Sequence, residues 1–404
     1  MEKKIYHPNN IQNNLNTNNP QNNNINNNQK IETRQNEDSN NKKAIQNSEN
    51  YSFSRYKKPI KTILKPLGDT SYLNAVLYSL GNIRNIASFF LNPKNQDYIN
   101  QRIGKMPLSY VFQRLLIHLY PYPETDKIEI YEINTFLQVL VKLNIIYNTL
   151  QRRNPNELIC FILNTLHKDL IQTNNNINMN LNLNVKDKNN VINNKIKFYL
   201  SSENSIILNN FNWFEIKESQ CFQCGNTKYD LLTYNTFSLD IQYCYKMKKN
   251  NNGNNYITIY DCLQFYQTSK PQHFSCNNCK KNDIYITSKI FSSPNNFIFS
   301  LDRGIDFDQN DNLMKIPFHL YDKIDLNNFI ENKNTPQQYE IIGIISIVIK
   351  DKKYVNFSRS PVDKVWYSYN DKNIEPIDIN NIINKHNNYK ELIPCILIYK
   401  AVEQ

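Results

Sequence analysis

The stretch Ile63-Leu-Lys-Pro-Leu-Gly-Asp-Thr-Ser-Tyr-Leu-Asn-Ala-Val-Leu-Tyr-Ser-Leu80 runs from a loop directly into a helix. Its loop contains a proline and a glycine, and Asp69 or Thr70 is suited to cap the first helical turn. Four apolar residues then fall at the i, i+3, i+4 and i+7 positions of one buried stripe: Leu73, Val76, Leu77 and Leu80. Ser71 is therefore predicted at a helix N-terminus.

The position of Ser71 is one that favours a nucleophile. Free backbone N–H groups and the positive end of the helix dipole concentrate at a helix N-terminus, where they lower the pKa of a thiol. Ser71 carries a hydroxyl instead. The stretch alone is also typical of an ordinary amphipathic helix behind a loop, so its interpretation depends on the rest of the chain.

The stretch resembles the cysteine box of the ubiquitin-specific proteases, papain-like deubiquitinases with the pattern Gly-Leu-x-Asn-x-Gly-Asn-Thr-Cys-Tyr-x-Asn-x-x-Leu-Gln-x-Leu. The matching residues are Gly68, Thr70, Tyr72, Asn74, Leu77 and Leu80. Ser71 stands where the family has its cysteine, and Pro66 stands where it has the asparagine that helps form the oxyanion hole. The resemblance implies the family's fold with a substituted nucleophile.

Length and composition favour a soluble intracellular protein. The 404 residues give room for two domains or one large one, and 40% of them are hydrophobic. No apolar run reaches the roughly 20 residues of a membrane span, and the first residues are polar, unlike the apolar core of a signal peptide. We expect a cytoplasmic or nuclear protein with no membrane partner.

The net charge of +11 would ordinarily indicate nucleic acid or an anionic surface. Asn, Lys and Ile are abundant while glycine falls to 7 residues, a bias that an A/T-rich genome produces. No compact Lys/Arg block interleaved with aromatic residues occurs. We therefore do not expect a nucleic-acid partner, and a basic RNA-associated scaffold is an alternative that rests on charge alone.

Two polar stretches bound the folded part of the chain. Residues 1–56 are Asn-rich, cannot bury enough apolar surface to offset chain entropy, and are predicted to be a disordered tail. Residues 173–195 are predicted to be an Asn-rich insert on the surface. The range 57–404 is predicted to form one domain, with a helical half at about 61–170 and a strand-rich half at about 197–400.

The helical half contains three further amphipathic segments. One begins at Pro107, the second covers 135–144, and the third is capped by Asn154 ahead of a proline. In the third, Glu157–Leu170 resembles the family's Glu-Phe-Leu-x-x-Leu-Leu-Asp-x-Leu-His-x-Asp-Leu. That resemblance gives His167 a structural role.

Beyond about Lys197 the apolar period becomes two, which predicts strands around one short helix at 257–267. The strands are expected to complete an antiparallel sheet, and their ranges are 211–217, 237–241, 284–291, 296–303, 339–349, 354–357, 365–369 and 393–400. Segments similar to the family's follow its order from about residue 61 to residue 399, and several motifs in order weigh more than any single one.

Four cysteines form two knuckles, Cys221 with Cys224 and Cys276 with Cys279. Without a signal peptide, such pairs indicate a metal site rather than disulfides. Four thiolates suit structural Zn²⁺, because the two-residue gap lets a tight turn aim both sulfurs at one ion. Two metal-free reduced pairs are the alternative. The resemblance implies that long strands, the fingers, fill the range 225–275, and no catalytic cofactor is expected.

The family's histidine lies in Gly-His-Tyr, and its orienting residue in Trp-Tyr-x-Phe-Asn-Asp. The corresponding stretches here are Lys352-Lys353-Tyr354 and Trp366-Tyr-Ser-Tyr-Asn-Asp371. The resemblance therefore places Lys353 at the histidine position and Asn370 at the orienting position. A dyad of Ser71 with Lys353 is an alternative, since serine with a neutral lysine base occurs on other folds, but Lys353 would have to lose its proton.

Other side chains are not expected to replace the missing ones. His319 and His386 are interpreted as surface or sheet residues, and three cysteines lie inside apolar patterns: Cys160, Cys262 and Cys395. Cys244 is the only loose candidate thiol. A working thiol or serine isopeptidase with misaligned catalytic residues stays an alternative.

The channel for the ubiquitin tail is also altered. The resemblance places Arg152, Arg153 and Asn154 where the family has Gln-Gln-Asp, whose aspartate helps to hold the basic tail. Like charge in a confined channel repels the tail. We expect weak binding of the tail or none, whereas the fingers could still touch the globular face of ubiquitin.

Together these observations predict an α+β fold of the papain-like ubiquitin-specific protease type, with a helical thumb, zinc-tipped fingers and an antiparallel palm. The first interpretation is a catalytically inactive member, a binding or scaffolding module of the ubiquitin pathway. Ubiquitin or a ubiquitin-like protein and other proteins are its expected partners. The alternatives are an active ubiquitin C-terminal hydrolase with an unusual site and the RNA-associated scaffold.

Overall fold

A computed structural model describes the residues 58–100, 107–120, 129–171, 188–250, 256–268, 270–272, 275–281, 284–303, 314–388 and 391–402. The predicted disordered tail, 1–56, lies outside these ranges, as do positions 173–187 of the predicted insert. None of the helices in the described ranges combines the length and the apolar composition that crossing a bilayer requires.

Helices form most of the first half of the described chain. In chain order they are α1 (Ser71–Gly81), α2 (Arg84–Leu91), α3 (Gln96–Asn100), α4 (Leu108–Leu119), α5 (Asn134–Leu143), α6 (Pro155–Leu170), α7 (Lys188–Ser202), α8 (Ile206–Phe211), α9 (Ile241–Asn250), α10 (Ile259–Gln267) and α11 (Ile379–Asn388). We call α1 to α6 the thumb. Helices α1, α4, α5, α6 and α10 confirm the segments predicted from the helical period.

Apart from two short strands in the helical half, β1 and β2, the strands lie from Trp213 onward. The strands are β1 (Ile63–Leu64), β2 (Ile130–Tyr131), β3 (Trp213–Cys221), β4 (Thr227–Tyr234), β5 (Phe237–Leu239), β6 (Lys270–Gln272), β7 (Ile284–Ser292), β8 (Asn296–Leu301), β9 (Lys323–Asp325), β10 (Gln338–Val348), β11 (Lys353–Arg359), β12 (Trp366–Tyr369), β13 (Ile374–Ile377) and β14 (Leu392–Ala401).

Two sheets organise the strand-rich half. The palm has the order β13-β12-β11-β10-β14-β8-β5, with β9 also paired to β10, and the fingers have the order β4-β3-β7-β6. The predicted antiparallel pairing is confirmed except at one edge, where β5 runs parallel to β8. A separate parallel pair joins β1 to β2.

Both faces of the palm are buried. Successive residues of a strand point to opposite sides of the sheet, so each strand contributes side chains to two different cores. On one face, Ile345 and Ile347 of β10 join the thumb helices in one hydrophobic cluster. On the other face, Ile341 and Ile344 join residues of α9 and α10 in a second cluster. The palm therefore serves as the common wall of two cores.

Helix α1 is the centre of the first core. All eleven of its residues are buried. The ring of Tyr78 stacks on Tyr369 of β12 with 4.7 Å between centroids, and Asn356 of β11 donates a hydrogen bond to Ser79 Oγ. These contacts fix the C-terminal half of α1 against the palm.

Two expectations about the middle of the chain are wrong. Residues 188–195 of the predicted surface loop begin α7, and the change to strands comes at Trp213 rather than near Lys197. Helix α7 forms because Ile192, Ile196 and Tyr199 recur at about one helical turn. All three are buried in a small cluster beside the first finger strand, a tertiary contact that the polar composition hides.

Candidate active site and metal centre

The loop before α1 is shaped by Gly68. Its φ of +69° suits glycine, and a Cβ there would meet Leu150 O at 3.2 Å. Thr70 is the N-cap residue, but its side chain makes no capping bond and Thr70 Oγ1 instead accepts from Leu67 N at 2.9 Å. The sequence therefore predicted the start of the helix correctly and the side-chain cap wrongly.

Ser71 begins α1 and lies directly against β11. Its side chain is buried, with the residue 2% exposed, and Ser71 Oγ accepts a hydrogen bond from Tyr354 N at 3.1 Å. Lys353 is the preceding residue on that strand, so the nucleophile and histidine positions of the resemblance are brought together across helix and sheet. The structure thus preserves the frame of the site while its two side chains differ.

The side chain of Lys353 pairs with a carboxylate that follows β12. Its Nζ lies 3.2 Å from Asp371 Oδ2, and the side chain is 49% exposed. The other carboxylate oxygen of Asp371 accepts from Asn74 Nδ2 at 3.3 Å, and the same amide donates to Leu64 O at 3.0 Å. The amine at the base position is therefore held in an ion pair.

The side chain of Asn370 bonds its own turn, whereas the resemblance implies that it orients the residue at position 353. Its Oδ1 accepts from the backbone N–H groups of Lys372 at 2.8 Å and Asn373 at 2.9 Å, which caps a turn after β12. The side chain that reaches Lys353 is that of Asp371. Asp371 was present in the quoted motif, but its role depends on the turn geometry and could not be read from residue type.

The three predicted channel residues are engaged within the chain. Arg152 Nη2 lies 3.1 Å from Asp69 Oδ2, Arg153 Nη2 donates to Ile146 O at 3.0 Å, and Asn154 Oδ1 accepts from Asn156 N at the start of α6. The expectation of unbalanced positive charge at Arg152 is thus corrected, because Asp69 neutralises it. Asp69 stands where the family pattern has asparagine.

Within the described ranges, the remaining histidines and thiols do not form a second site. The interpretation of His386 as a surface or sheet residue is wrong: it is fully buried in α11, where Nε2 bonds Ser346 Oγ at 2.7 Å and Nδ1 bonds Ile382 O at 2.7 Å. Cys244, the loose candidate thiol, is 1% exposed in the second core. Burial raises the pKa of Cys160 to about 11 and that of Cys395 to about 12. His167 Nδ1 lies 2.7 Å from Ser205 Oγ, a contact compatible with the structural role that the resemblance gives it.

The four knuckle cysteines meet at the tip of the fingers. Their sulfur atoms all lie within 4.8 Å of one another, with 3.6 Å between Cys221 and Cys279 and 3.7 Å between Cys224 and Cys276. Zinc–sulfur bonds of about 2.3 Å in a tetrahedron place two sulfurs about 3.8 Å apart. The donor set and its spacing therefore fit a zinc ion.

The two knuckles have the same backbone hydrogen bond and the same turn conformation. Gly225 N donates to Cys221 O and Lys280 N donates to Cys276 O, both at 2.9 Å. Gly225 and Lys280 both have positive φ, at 67° and 60°. A hydrogen bond from the backbone of Asn226 lowers the pKa of Cys224 to about 6, which favours the thiolate that a metal requires.

Comparisons with known proteins agree with this architecture. The family model described as "Ubiquitin carboxyl-terminal hydrolase" matches residues 63–399. Ubiquitin carboxyl-terminal hydrolase 4 of Saccharomyces cerevisiae (strain YJM789) is 22% identical over 353 residues, which cover 78% of this chain and 37% of that protein. Ubiquitin carboxyl-terminal hydrolase 3 of Homo sapiens is 22% identical over 239 residues, which cover 54% of this chain and 45% of that protein. The chain spans less than half the length of these relatives.

Solved structures show the same fold. The SAGA Ubp8/Sgf11/Sus1/Sgf73 DUB module bound to ubiquitin aldehyde has a TM-score of 0.62 and 17% identity, over 86% of this chain and 70% of that one. A yeast SAGA DUBm structure with an Sgf73 mutant has a TM-score of 0.59 and 16% identity, over 86% and 69%. With the thumb, palm and fingers in place and the family match running from β1 to β14, the chain belongs to the ubiquitin carboxyl-terminal hydrolase family of ubiquitin-specific proteases.

Proposed function

We propose that this chain is a catalytically inactive member of its family that acts as a binding or scaffolding module in the ubiquitin pathway. The observation that carries the proposal is the pairing of Lys353 Nζ with Asp371 at 3.2 Å. A serine hydroxyl is a weak nucleophile and needs an adjacent base to take its proton. Here the side chain at the base position is engaged elsewhere, while Ser71 Oγ accepts from Tyr354 N.

The dyad of Ser71 and Lys353 is disfavoured by the same contacts. A lysine acts as a base only as the neutral amine, and a carboxylate partner stabilises the charged ammonium. The oxyanion position holds Pro66, which has neither a side-chain amide nor a backbone N–H to donate. Removal of one oxyanion donor typically costs about a hundredfold or more in rate.

A hydrolysis assay with a ubiquitin C-terminal fluorogenic substrate tests the inactivity. We expect no turnover by the wild-type chain above a Ser71→Ala variant. We expect only slow turnover to appear in a Ser71→Cys/Lys353→His variant: β11 places residue 353 beside the start of α1, but Pro66 and the weakly held tail still limit the rate. The matched control is Ser71→Cys/Lys352→His, with the histidine one residue away. Wild-type turnover that Ser71→Ala removes would establish an enzyme and overturn the proposal.

We also propose that ubiquitin or a ubiquitin-like protein is bound mainly through its globular face. The one carboxylate among the channel residues at 69 and 152–154 is that of Asp69, and Arg152 occupies it. Asn154 is a helix cap and carries no charge. A basic tail therefore finds little attraction beside Ser71.

Calorimetric titration with ubiquitin and with ubiquitin lacking its C-terminal tail tests this mode of binding. We expect the two ligands to bind the wild-type chain equally. In an Arg152→Gln/Asn154→Asp variant, which frees one carboxylate and adds another, full-length ubiquitin should bind about tenfold tighter than the truncated form. Loss of wild-type binding on removal of the tail would contradict the proposal.

We propose that Cys221, Cys224, Cys276 and Cys279 hold one structural zinc ion, which ties the two strand pairs of the fingers together. Elemental analysis should find one zinc per chain, and Cys279→Ser should lose it, whereas Cys160→Ser should retain it. Chelation should lower the melting temperature. Metal-free protein with four titratable thiols and an unchanged melting temperature would show that the knuckles are simply reduced pairs.

We also propose that the protein lies inside the cell, where the thiols of such cysteine pairs stay reduced.

A further inference from the structure

Five aromatic rings form a continuous row at the surface of the strand-rich half. In spatial order they belong to Tyr256, His319, Tyr321, Tyr260 and Phe329, and successive ring centroids lie 5.1, 4.9, 5.6 and 6.1 Å apart. We call these five residues the aromatic row. Tyr256 is exposed and the other four are half-buried. Tyr260, Tyr321 and Phe329 pack on the second core, on the face of the palm opposite to the thumb, so the row lies apart from the candidate active site.

The backbone that carries the aromatic row is held by hydrogen bonds. His319 N donates to Ile257 O at 2.8 Å, and Ile257 N donates to Pro317 O at 3.0 Å, so the segment before α10 is joined to the segment before β9. The hydroxyl of Tyr260 accepts from Asp325 N at 3.0 Å. Rings placed in advance lose less conformational entropy when a ligand binds. The row is therefore suited to recognise a partner rather than only to cover the core.

The charges beside the aromatic row disfavour a polyanion. The charged residues within two positions of a ring along the chain are Asp261, Asp322, Lys323 and Glu331. Lys248 joins them by contact, with its Nζ 5.4 Å from the centroid of the Tyr256 ring and 2.8 Å from Asp261 Oδ2, so its charge is balanced. This balance of charges gives a phosphate backbone no attraction, although nucleic-acid bases stack on rings of this kind. An uncharged segment of protein complements the row better.

We propose that the aromatic row docks a proline-rich segment of a partner protein in the polyproline II conformation. Proline rings are compact and apolar and pack on aromatic faces, and the exposed carbonyl groups of this helix accept hydrogen bonds from donors such as the hydroxyls of Tyr256 and Tyr321. The centroid spacings make the row at most about 22 Å long, which matches about seven residues of this helix. This docking surface does not depend on the state of Ser71 or on ubiquitin binding.

Fluorescence anisotropy with a fluorescein-labelled oligoproline peptide tests the proposal on the full chain. The chain should bind this peptide and should not bind a Gly/Ser peptide of equal length. Tyr256→Ala/Tyr321→Ala removes two rings of the row and should weaken binding by about tenfold or more. The control Tyr243→Ala/Tyr285→Ala removes two exposed tyrosines outside the row and should leave binding within about twofold.

Equal weakening by both double variants, or no binding of oligoproline by the wild-type chain, would overturn the proposal. Tighter binding of a labelled oligouridylate, lost in Tyr256→Ala/Tyr321→Ala, would replace the protein partner with single-stranded nucleic acid. If that variant fails to fold by circular dichroism, Tyr256→Ala/His319→Ala provides the same comparison at the end of the row that lies outside the second core. Oligoproline binding that this second pair leaves unchanged would equally rule out the row.

Discussion

At the scale of single residues, the most informative contact is the bridge from Asn74 through Asp371 to Lys353. It places a carboxylate, rather than the amide of Asn370, beside residue 353. In the Ser71→Cys/Lys353→His background, Asp371→Ala should therefore reduce turnover by about tenfold or more, since an unoriented histidine is a poor base. Asn370→Ala is the control and should cost less, because Asn370 acts on its own turn.

The measurement is the initial rate of hydrolysis of the fluorogenic ubiquitin substrate, with both variants checked for folding. A larger loss from Asn370→Ala than from Asp371→Ala would mean that the orienting role belongs to Asn370 after all.

His386 makes the stability of the fold depend on pH. Burial lowers its pKa to about 4, whereas an unfolded histidine titrates near 6.5. As the pH falls from about 6.5 toward 4, the unfolded chain takes up a proton that the folded chain does not, so the folded state loses stability. We expect His386→Gln to remove about 2 kcal/mol of the stability difference between about pH 7.5 and pH 5.

Urea unfolding at the two pH values measures this difference. His118→Gln is the control: partial burial and the charge of Arg114 also lower the pKa of His118, but His118 is exposed on α4, so its removal should change the pH dependence less than that of His386. An unchanged slope in His386→Gln would show that other groups cause the pH dependence.

The resemblance to the family's motifs indicated the positions of the candidate site, but not what each side chain does there. Ser71, Lys353 and Pro66 followed from motif positions. The pairing of Asp69 with Arg152 did not, because it joins two distant segments through side chains whose charges were considered separately. Thr70 failed as a cap for a similar reason, since its hydroxyl had a second backbone partner available.

At the scale of elements, the two knuckles provide a matched pair of backbone turns. A left-handed conformation costs a non-glycine residue about 1 kcal/mol, and a Cβ at position 225 would meet no atom within 4 Å. Gly225→Ala should therefore lower the stability of the zinc-loaded protein by about 1 kcal/mol, purely through the backbone. Lys280→Gly should raise it or leave it unchanged.

Urea unfolding of the zinc-loaded variants, with zinc content confirmed, is the measurement. Equal destabilisation by both changes would mean that the side chain of Lys280, and not its backbone, supports the second knuckle.

Helices whose apolar residues recur with the helical period were predictable from the sequence. Elements whose conformation depends on packing against other parts of the fold were not. Helices α4, α5 and α6 show their apolar stripe directly in the sequence. Helix α11 is rich in Asn and buries only Ile382 and His386, so its composition resembles that of a loop. The parallel edge strand β5 was found as a strand, but its direction is set by the sheet that it joins.

At the scale of the whole molecule, the first core links the thumb to the palm through α1. Leu77 is fully buried in this core, together with Ile345 and Tyr369 of the palm. Leu77→Ala should destabilise the protein by about 2 to 5 kcal/mol. Because both halves share the core, the transitions followed by tryptophan fluorescence of Trp213 and Trp366 and by far-ultraviolet circular dichroism should shift together.

The control is Ile117→Ala, at an exposed position of α4, which should shift neither transition noticeably. Two separated transitions in Leu77→Ala would show that thumb and palm unfold independently.

The complete burial of α1 has a consequence for how such chains are classified. Tyr72, Asn74, Leu77 and Leu80 are all buried, so packing alone suffices to retain them after the cysteine has been replaced. The signature that identifies this family therefore records the requirements of folding as much as those of peptide-bond cleavage. A genome survey that counts deubiquitinases by this signature will include chains with serine and lysine at positions 71 and 353, so these two side chains need separate inspection.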